Sequence, residues 1–100
     1  MDPKQLAGTI RIVPVVNLPG YRGKSRYFPD GRDLNRNFPG DYKGSTTKRV
    51  AAQVWKYLLK DSDAIIDLHS AAKGRSNMPQ LRVNLAHAGS NILAKAFGIE

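Results

Sequence analysis

The residues best suited to bind an anion stand close together in the segment Asp30-Gly-Arg-Asp-Leu-Asn-Arg-Asn-Phe-Pro-Gly40. Within it, Asn35 and Arg36 are neighbours. A guanidinium holds a carboxylate through two parallel hydrogen bonds, and an adjacent amide can donate a further one to the same anion. Asp33 could orient one of these two side chains. A turn-rich loop whose polar side chains bond their own backbone is the alternative explanation of the same residues.

A candidate metal ligand ends the segment Asp63-Ala-Ile-Ile-Asp-Leu-His69. Its apolar run is short and mostly β-branched, which predicts a buried strand. His69 would then lie at the carboxyl end of that strand, where ligands gather in open α/β sheets. A neutral imidazole there can bind zinc, and Asp67, two residues earlier, would share its face and support the ring. A strand-end histidine whose hydrogen bonds are satisfied within the fold is the alternative.

The chain lacks other groups that a zinc enzyme needs. A catalytic zinc takes about three protein ligands, but the sequence has 2 histidines and no cysteine. The second histidine, His87, has no acidic neighbour, and the only glutamate is Glu100. No His-x-x-Glu or His-x-x-x-His pair is present, nor is a Walker loop, a Gly-x-Gly-x-x-Gly fingerprint or a Gly-x-Ser-x-Gly elbow. These residues alone therefore supply neither a full zinc site nor a general base.

Hydrophobic periodicity and capping residues indicate the elements that position these groups. The predicted elements are an edge strand over 8–16, a helix from the caps Ser45, Thr46 and Thr47 to about Leu59, a buried strand over 63–69, a short strand over 81–85 and a helix from Ser90 to Phe97. The order strand, helix, strand is typical of a βαβ unit with parallel strands. We therefore expect an α/β fold.

A long loop from Asn17 to Gly44 separates the first strand from the helix and shows no regular period. Loops of this length in compact domains are commonly functional, and the aromatic residues of this one argue against disorder. From Arg22 to Arg49 the chain carries eight basic and three acidic residues, a local net charge of +5. Such a field attracts an anion, either a nucleic acid or a small carboxylate. A solvated basic surface without a ligand is the third possibility.

Length and composition restrict the class of protein. The chain has 100 residues, a net charge of +8, a pI of about 10.1 and 41% hydrophobic residues, which suits one small domain at most. Without cysteine, a disulfide framework and a thiolate metal site are excluded. No stretch approaches the ~18 apolar residues of a membrane-spanning helix, and no signal peptide is visible. The simplest expected location is the cytoplasm, with no membrane partner.

The segment from Arg26 to Gly40, the following helix and then Ile66-Asp-Leu-His69 together resemble the succinylglutamate desuccinylase/aspartoacylase family of zinc carboxypeptidase-like deacylases. The resemblance extends from about Asp2 to Gly98. It implies that residues 1–100 are part of a three-layer αβα fold that contains the βαβ unit and the long functional loop. It also implies a partial catalytic domain, because the first zinc motif of the family would precede residue 1 and its catalytic glutamate would follow residue 100.

The resemblance implies a role for each matched residue. His69 resembles a zinc ligand, and Asp67 resembles an acidic residue that contacts the ligand without binding the metal itself. Asn35 and Arg36 resemble the pair that binds the carboxylate of the substrate, and Arg26 resembles the arginine that polarises the scissile carbonyl and stabilises its oxyanion. The implied reaction is Zn²⁺-dependent removal of an acyl group, succinyl or acetyl, from a small N-acyl amino acid with a free carboxylate. We expect these side chains to converge in one concavity.

Two alternatives remain open at this point. A zinc carboxypeptidase proper would share the fold and the Asn-Arg pair. A small basic nucleic-acid-binding protein would explain the charge, although no RRM, KH, zinc-finger or helix-turn-helix signature is present, which makes nucleic acid the less favoured partner. On the deacylase hypothesis, these 100 residues alone would bind zinc weakly and lack activity, and Trp55 would pack beneath the sheet of the complete enzyme. The acyl group, the amino acid and the oligomeric state are left open.

Overall fold

The computed structural model describes residues 2–72 and 74–99. The chain divides into two compact units, Met1–Ser62 and Asp63–Glu100, which we call the N-terminal unit and the C-terminal unit. Glu100, the only glutamate of the sequence, lies outside the described residues. No helix of the described part of the chain is both long and apolar enough to cross a membrane.

The N-terminal unit consists of short helical elements joined by loops. They are a 3₁₀ helix Pro3–Gln5, helix α1 Leu18–Arg22, a 3₁₀ helix Leu34–Arg36, helix α2 Thr46–Val54 and a π-helix Trp55–Leu59 that continues α2. The side chain of Ser45 caps α2 by accepting a hydrogen bond from the backbone N–H of Lys48. The predicted helix from the Ser/Thr caps to about Leu59 is therefore confirmed.

The long loop packs onto α2 through a small apolar core. The buried cluster consists of Phe28, Leu34 and Ala51. Two partly buried side chains, Phe38 and Val50, pack against it. At Gly40 the loop backbone comes so close to the helix that an added Cβ would lie 2.1 Å from the backbone nitrogen of Ala52. Its φ of +93° also favours glycine. The loop is thus an ordered layer on the helix, as its aromatic residues indicated.

A partly buried polar contact fixes the same loop at the start of α2. The carboxylate of Asp30 accepts hydrogen bonds from the hydroxyl and from the backbone N–H of Thr47, whose nitrogen lies 3.0 Å from Oδ2. Thr47 is fully buried. Hydrogen bonds from the Thr47 hydroxyl and then from its backbone N–H lower the pKa of Asp30 from 3.8 to about 2. The aspartate therefore remains ionised at the positive end of the helix dipole.

The C-terminal unit contains one regular element among its described residues, helix α3 Ala88–Phe97. His87 caps it by accepting a hydrogen bond from the backbone N–H of Ser90, and Gly98 ends it with a φ of +75°. The predicted helix from Ser90 to Phe97 is confirmed, with a start two residues earlier. The end of this helix follows from a local capping signal.

The predicted α/β fold is wrong for this chain. Residues 2–72 and 74–99 contain no strand, so neither the βαβ unit nor the three-layer αβα arrangement is present in them. Ile12 and Leu68, from two of the expected strands, are 79% and 81% exposed. β-Branched residues favour extended backbone, but a strand also needs a neighbouring strand to complete its hydrogen bonds. Trp55 is 40% exposed, and its expected burial beneath a sheet stays a prediction.

Candidate functional site

Three charged side chains of the N-terminal unit meet at Asp33. Its Oδ2 atom lies 2.7 Å from Nη2 and 3.0 Å from Nε of Arg26, and 3.8 Å from Nε of Arg36. The carboxylate is 13% exposed, whereas the side chains of Arg26 and Arg36 are 55% and 82% exposed. One negative charge between two guanidiniums leaves the cluster with net positive charge. It can therefore attract a further anion from solvent.

The 3₁₀ helix places Asn35 and Arg36 on the surface beside this carboxylate. Asp33 caps the turn, because its Oδ1 atom accepts a hydrogen bond of 3.1 Å from the backbone N–H of Asn35. Residues three apart lie above one another in a 3₁₀ helix, which brings Arg36 next to Asp33. Leu34, between them in sequence, is buried in the core and anchors the turn. The Asn-Arg pair is thus exposed on a turn that the core holds in place.

Arg26 is positioned from the other side by Asn17. The amide nitrogen of Asn17 donates a hydrogen bond of 3.0 Å to the backbone carbonyl of Arg26, while its amide oxygen accepts one of 2.8 Å from the backbone N–H of Gly20. The same side chain therefore caps α1 and holds the Arg26 backbone. Our sequence reasoning missed Asn17. Its signal was an asparagine directly before Leu-Pro-Gly, an N-cap followed by proline in the first turn.

In the C-terminal unit, Asp67 and His69 form a pair. Oδ2 of Asp67 lies 2.7 Å from Nε2 of His69, and the two side chains are 65% and 57% exposed. This contact lies on an exposed segment without strand structure instead of a buried strand, and the role of Asp67 behind a zinc ligand stays a prediction. When the Nε2–H group donates a hydrogen bond to the carboxylate, Nδ1 carries the lone pair that can bind a metal. The pair fits one ligand position of a zinc site.

The described residues do not complete such a site. Among residues 2–72 and 74–99, no group of three or more His, Asp or Glu side chains is placed to hold a metal ion. His87 is occupied at the start of α3, where its Nδ1 lies 3.2 Å from the backbone nitrogen of Ser90 and 3.1 Å from its hydroxyl. The described residues therefore offer His69 as a candidate ligand but no complete zinc site.

The sequence-predicted residues thus fall into two sets. Arg26, Asn35 and Arg36 lie together around Asp33 in the N-terminal unit. Asp67 and His69 lie in the C-terminal unit. The expected convergence of the two sets in one concavity stays a prediction.

Comparison with known proteins adds information about the family. The profile described as the succinylglutamate desuccinylase/aspartoacylase catalytic domain matches residues 1–100. The N-alpha-acetyl-L-2,4-diaminobutyric acid deacetylase of Halomonas elongata is 38% identical over 77 residues. These residues make up 76% of this chain and 22% of that protein. No solved structure gives a match.

Proposed function

Because the chain belongs to the succinylglutamate desuccinylase/aspartoacylase family, we propose that it is part of an enzyme that hydrolyses an acetyl or succinyl group from an N-acyl amino acid. The observation that carries this proposal is the family match over residues 1–100. The relative from Halomonas elongata is a deacetylase by name. The chain spans 22% of that protein, so we propose that residues 1–100 are part of a longer catalytic domain. The family favours a deacylase over the carboxypeptidase and nucleic-acid alternatives.

Asn35 and Arg36 bind the free carboxylate of the substrate in this proposal. Arg36 is 82% exposed, and its Nε lies 3.8 Å from the nearest carboxylate oxygen of Asp33, beyond hydrogen-bond distance. Its guanidinium therefore has donors to offer a second carboxylate in the bidentate geometry that arginine favours. The amide of Asn35, on the same turn, would add a donor. Anchoring the carboxylate places the acyl amide at a defined distance, which reduces the entropic cost of the reaction.

Arg26 faces the carbonyl oxygen of the scissile amide. Asp33 binds its Nε and Nη2 atoms, which leaves the Nη1 group to donate to an oxygen that gains negative charge in the transition state. Donors already held in place before the reaction stabilise that charge without reorganisation. Arg26 is therefore the residue of this chain that acts on the reacting atoms.

Zn²⁺ is the proposed cofactor, with His69 as one ligand and Asp67 holding the ring. When bound, zinc would polarise the amide carbonyl and make water a stronger acid. In the proposal the remaining ligands and the general base lie outside this chain, and the absence of a metal-holding group among residues 2–72 and 74–99 is consistent with that. The expected cytoplasmic location and the small-molecule substrate stay predictions.

The test is hydrolysis of N-acetyl- and N-succinyl-amino acids by the full-length protein that contains these residues, with its zinc content measured. Arg36→Ala should raise KM by roughly a hundredfold, because the variant loses the main partner of the carboxylate. Arg49→Ala, an exposed arginine on α2, is the matched control and should behave like the unchanged protein. Peptides with a free C-terminus and a DNA duplex test the two alternatives. A zinc-loaded protein that cleaves only peptides, or no N-acyl amino acid at all, would overturn the proposal.

A further inference from the structure

We propose that Asp33 is a positioning residue that orients Arg26 for the acyl carbonyl and at the same time holds the Asn35–Arg36 turn. The inference rests on the proposed function, because it concerns the same site. It assigns a role to a carboxylate that itself needs no contact with the substrate.

The two carboxylate oxygens of Asp33 have separate partners. Oδ2 accepts hydrogen bonds from Nε and Nη2 of Arg26, at 3.0 and 2.7 Å. Oδ1 accepts a hydrogen bond of 3.1 Å from the backbone N–H of Asn35. The Asp33 side chain thus connects Arg26, which is proposed to contact the acyl carbonyl, to the Asn35–Arg36 turn, which is proposed to bind the substrate carboxylate. Any change in its position would move both.

Asp33 is the fixed member of the ion pair. Its side chain is 13% exposed, against 55% for Arg26. Its backbone carbonyl accepts hydrogen bonds of 2.6 Å from the side-chain amide of Asn37 and 3.2 Å from the backbone N–H of Arg36. The next residue, Leu34, is buried in the core. Because arginine is long and has many rotamers, an exposed Arg26 without this partner would sample several directions.

The pair also determines which part of Arg26 is available. Contacts through Nε and Nη2 use one edge of the guanidinium, so Nη1 is the group directed away from Asp33. Arg36 is only at ion-pair distance, 3.8 Å, and keeps its donors for the substrate. Asp33 therefore acts differently on the two arginines. It holds Arg26 by hydrogen bonds, whereas it attracts Arg36 by charge without forming a hydrogen bond to it.

The decisive variant is Asp33→Asn in the full-length protein. Asparagine can still accept the hydrogen bond from the backbone of residue 35 and cap the turn, but it loses the charge that holds Arg26. We expect kcat to fall roughly 10- to 100-fold with KM changed by less than about threefold, because the contact to the carbonyl strengthens in the transition state. Asp33→Glu, which keeps the charge, should recover part of the loss. Asp41→Asn is the matched control, since Asp41 caps a turn of the same loop through its side chain.

A double variant tests whether Asp33 acts through Arg26. If it does, Arg26→Ala combined with Asp33→Asn should be no slower than Arg26→Ala alone, because the second change removes nothing further. If the fold-losses of activity of the two single variants multiply in the double variant, the proposal is overturned. An unchanged kcat in Asp33→Asn would also overturn it. A KM increase with constant kcat would do the same, because asparagine still caps the turn and the lost charge would then act on substrate binding and not on Arg26.

A readout without substrate separates this inference from the proposed function. The Nε–H group of Arg26 should give an NMR signal that is protected from exchange with water, and Asp33→Asn should remove that protection. The Arg26→Lys variant identifies the signal. If the protein hydrolyses no N-acyl amino acid, the proposed function fails while this signal still reports on the pair. If the signal does not respond to Asp33→Asn, the positioning role fails whatever the activity.

Discussion

The two units hold their candidate residues in different ways. In the N-terminal unit, the Asp33 cluster lies on a loop whose Phe28 and Leu34 are buried against α2. In the C-terminal unit, Asp67 and His69 lie on an exposed segment, and none of its described residues is buried. A packed scaffold therefore carries the proposed anion site, whereas a local contact alone carries the proposed metal ligand.

The range of the polar contacts differs in the same way. Asp30 and Thr47 are 17 residues apart and join the loop to the helix. The side-chain hydrogen bonds among the described residues of the C-terminal unit join positions at most three apart. Contacts between residues far apart in sequence help to form a core, because they bring apolar side chains from separate segments together. The difference teaches that the Asp67–His69 contact needs no strand to bring its two side chains together, whereas the Asp30–Thr47 contact depends on how the loop packs on the helix.

The largest expected effect concerns His69, the proposed metal ligand on the exposed segment. In the full-length protein, His69→Ala should lower kcat/KM by about a thousandfold or more and reduce bound zinc, because zinc needs about three protein ligands. Activity and metal content are measured on the same samples. His87→Asn is the matched control, because asparagine also caps a helix and His87 serves α3. Equal losses in the two variants would show that His69 matters only for folding.

The contact between loop and helix should be sensitive to a single methyl group. Gly40→Ala should lower the free energy of unfolding by about 3 kcal/mol, because the new Cβ would collide with backbone and φ is unsuitable. Urea unfolding measures the change. Gly31→Ala is the control, since Gly31 has a φ of +74° and nothing within 4 Å of an added Cβ. It should cost only about 1 kcal/mol, and similar losses at both positions would argue against close packing at Gly40.

Acid should weaken the N-terminal unit through Asp30. Since the pKa of Asp30 is lowered from 3.8 to about 2 in the fold, its contribution to stability is complete above pH 3.8 and is lost as the pH falls toward 2. Thr47→Val removes the hydroxyl that is the main cause and should reduce this pH dependence. Thr46→Val, at the exposed neighbouring position, should leave it in place. Urea unfolding across this pH range measures the effect. The same pH dependence of the unfolding free energy in both variants would contradict the role of the Thr47 hydroxyl.

The smallest effect is expected where no core exists. Leu68, 81% exposed, should tolerate alanine with a change in unfolding free energy below about 0.5 kcal/mol. Leu34, 6% exposed in the core of the N-terminal unit, should lose about 2–4 kcal/mol on the same substitution. Thermal unfolding of the two variants of this chain gives the comparison. A large loss from Leu68→Ala would mean that the C-terminal unit buries this side chain.

Local signals in the sequence determined several features of this protein. Ser45 before Thr46 predicts the start of α2, and the apolar pattern up to Phe97 predicts α3, because a helix makes its hydrogen bonds within its own residues. The order of the motifs around Asn35 and His69 was also enough to identify the family, and the profile match confirms that identification.

Tertiary structure decided the strands and the partners of the charged groups. The β-branched segments 8–16 and 63–69 read as strands, yet among the described residues neither is one, since the hydrogen bonds of a strand belong to its neighbour. The pairing of Asp33 with Arg26, across a tight turn, likewise depends on how the loop folds over Phe28. Helices and caps follow from adjacent residues, whereas sheets and ion pairs depend on which distant segments the chain brings together.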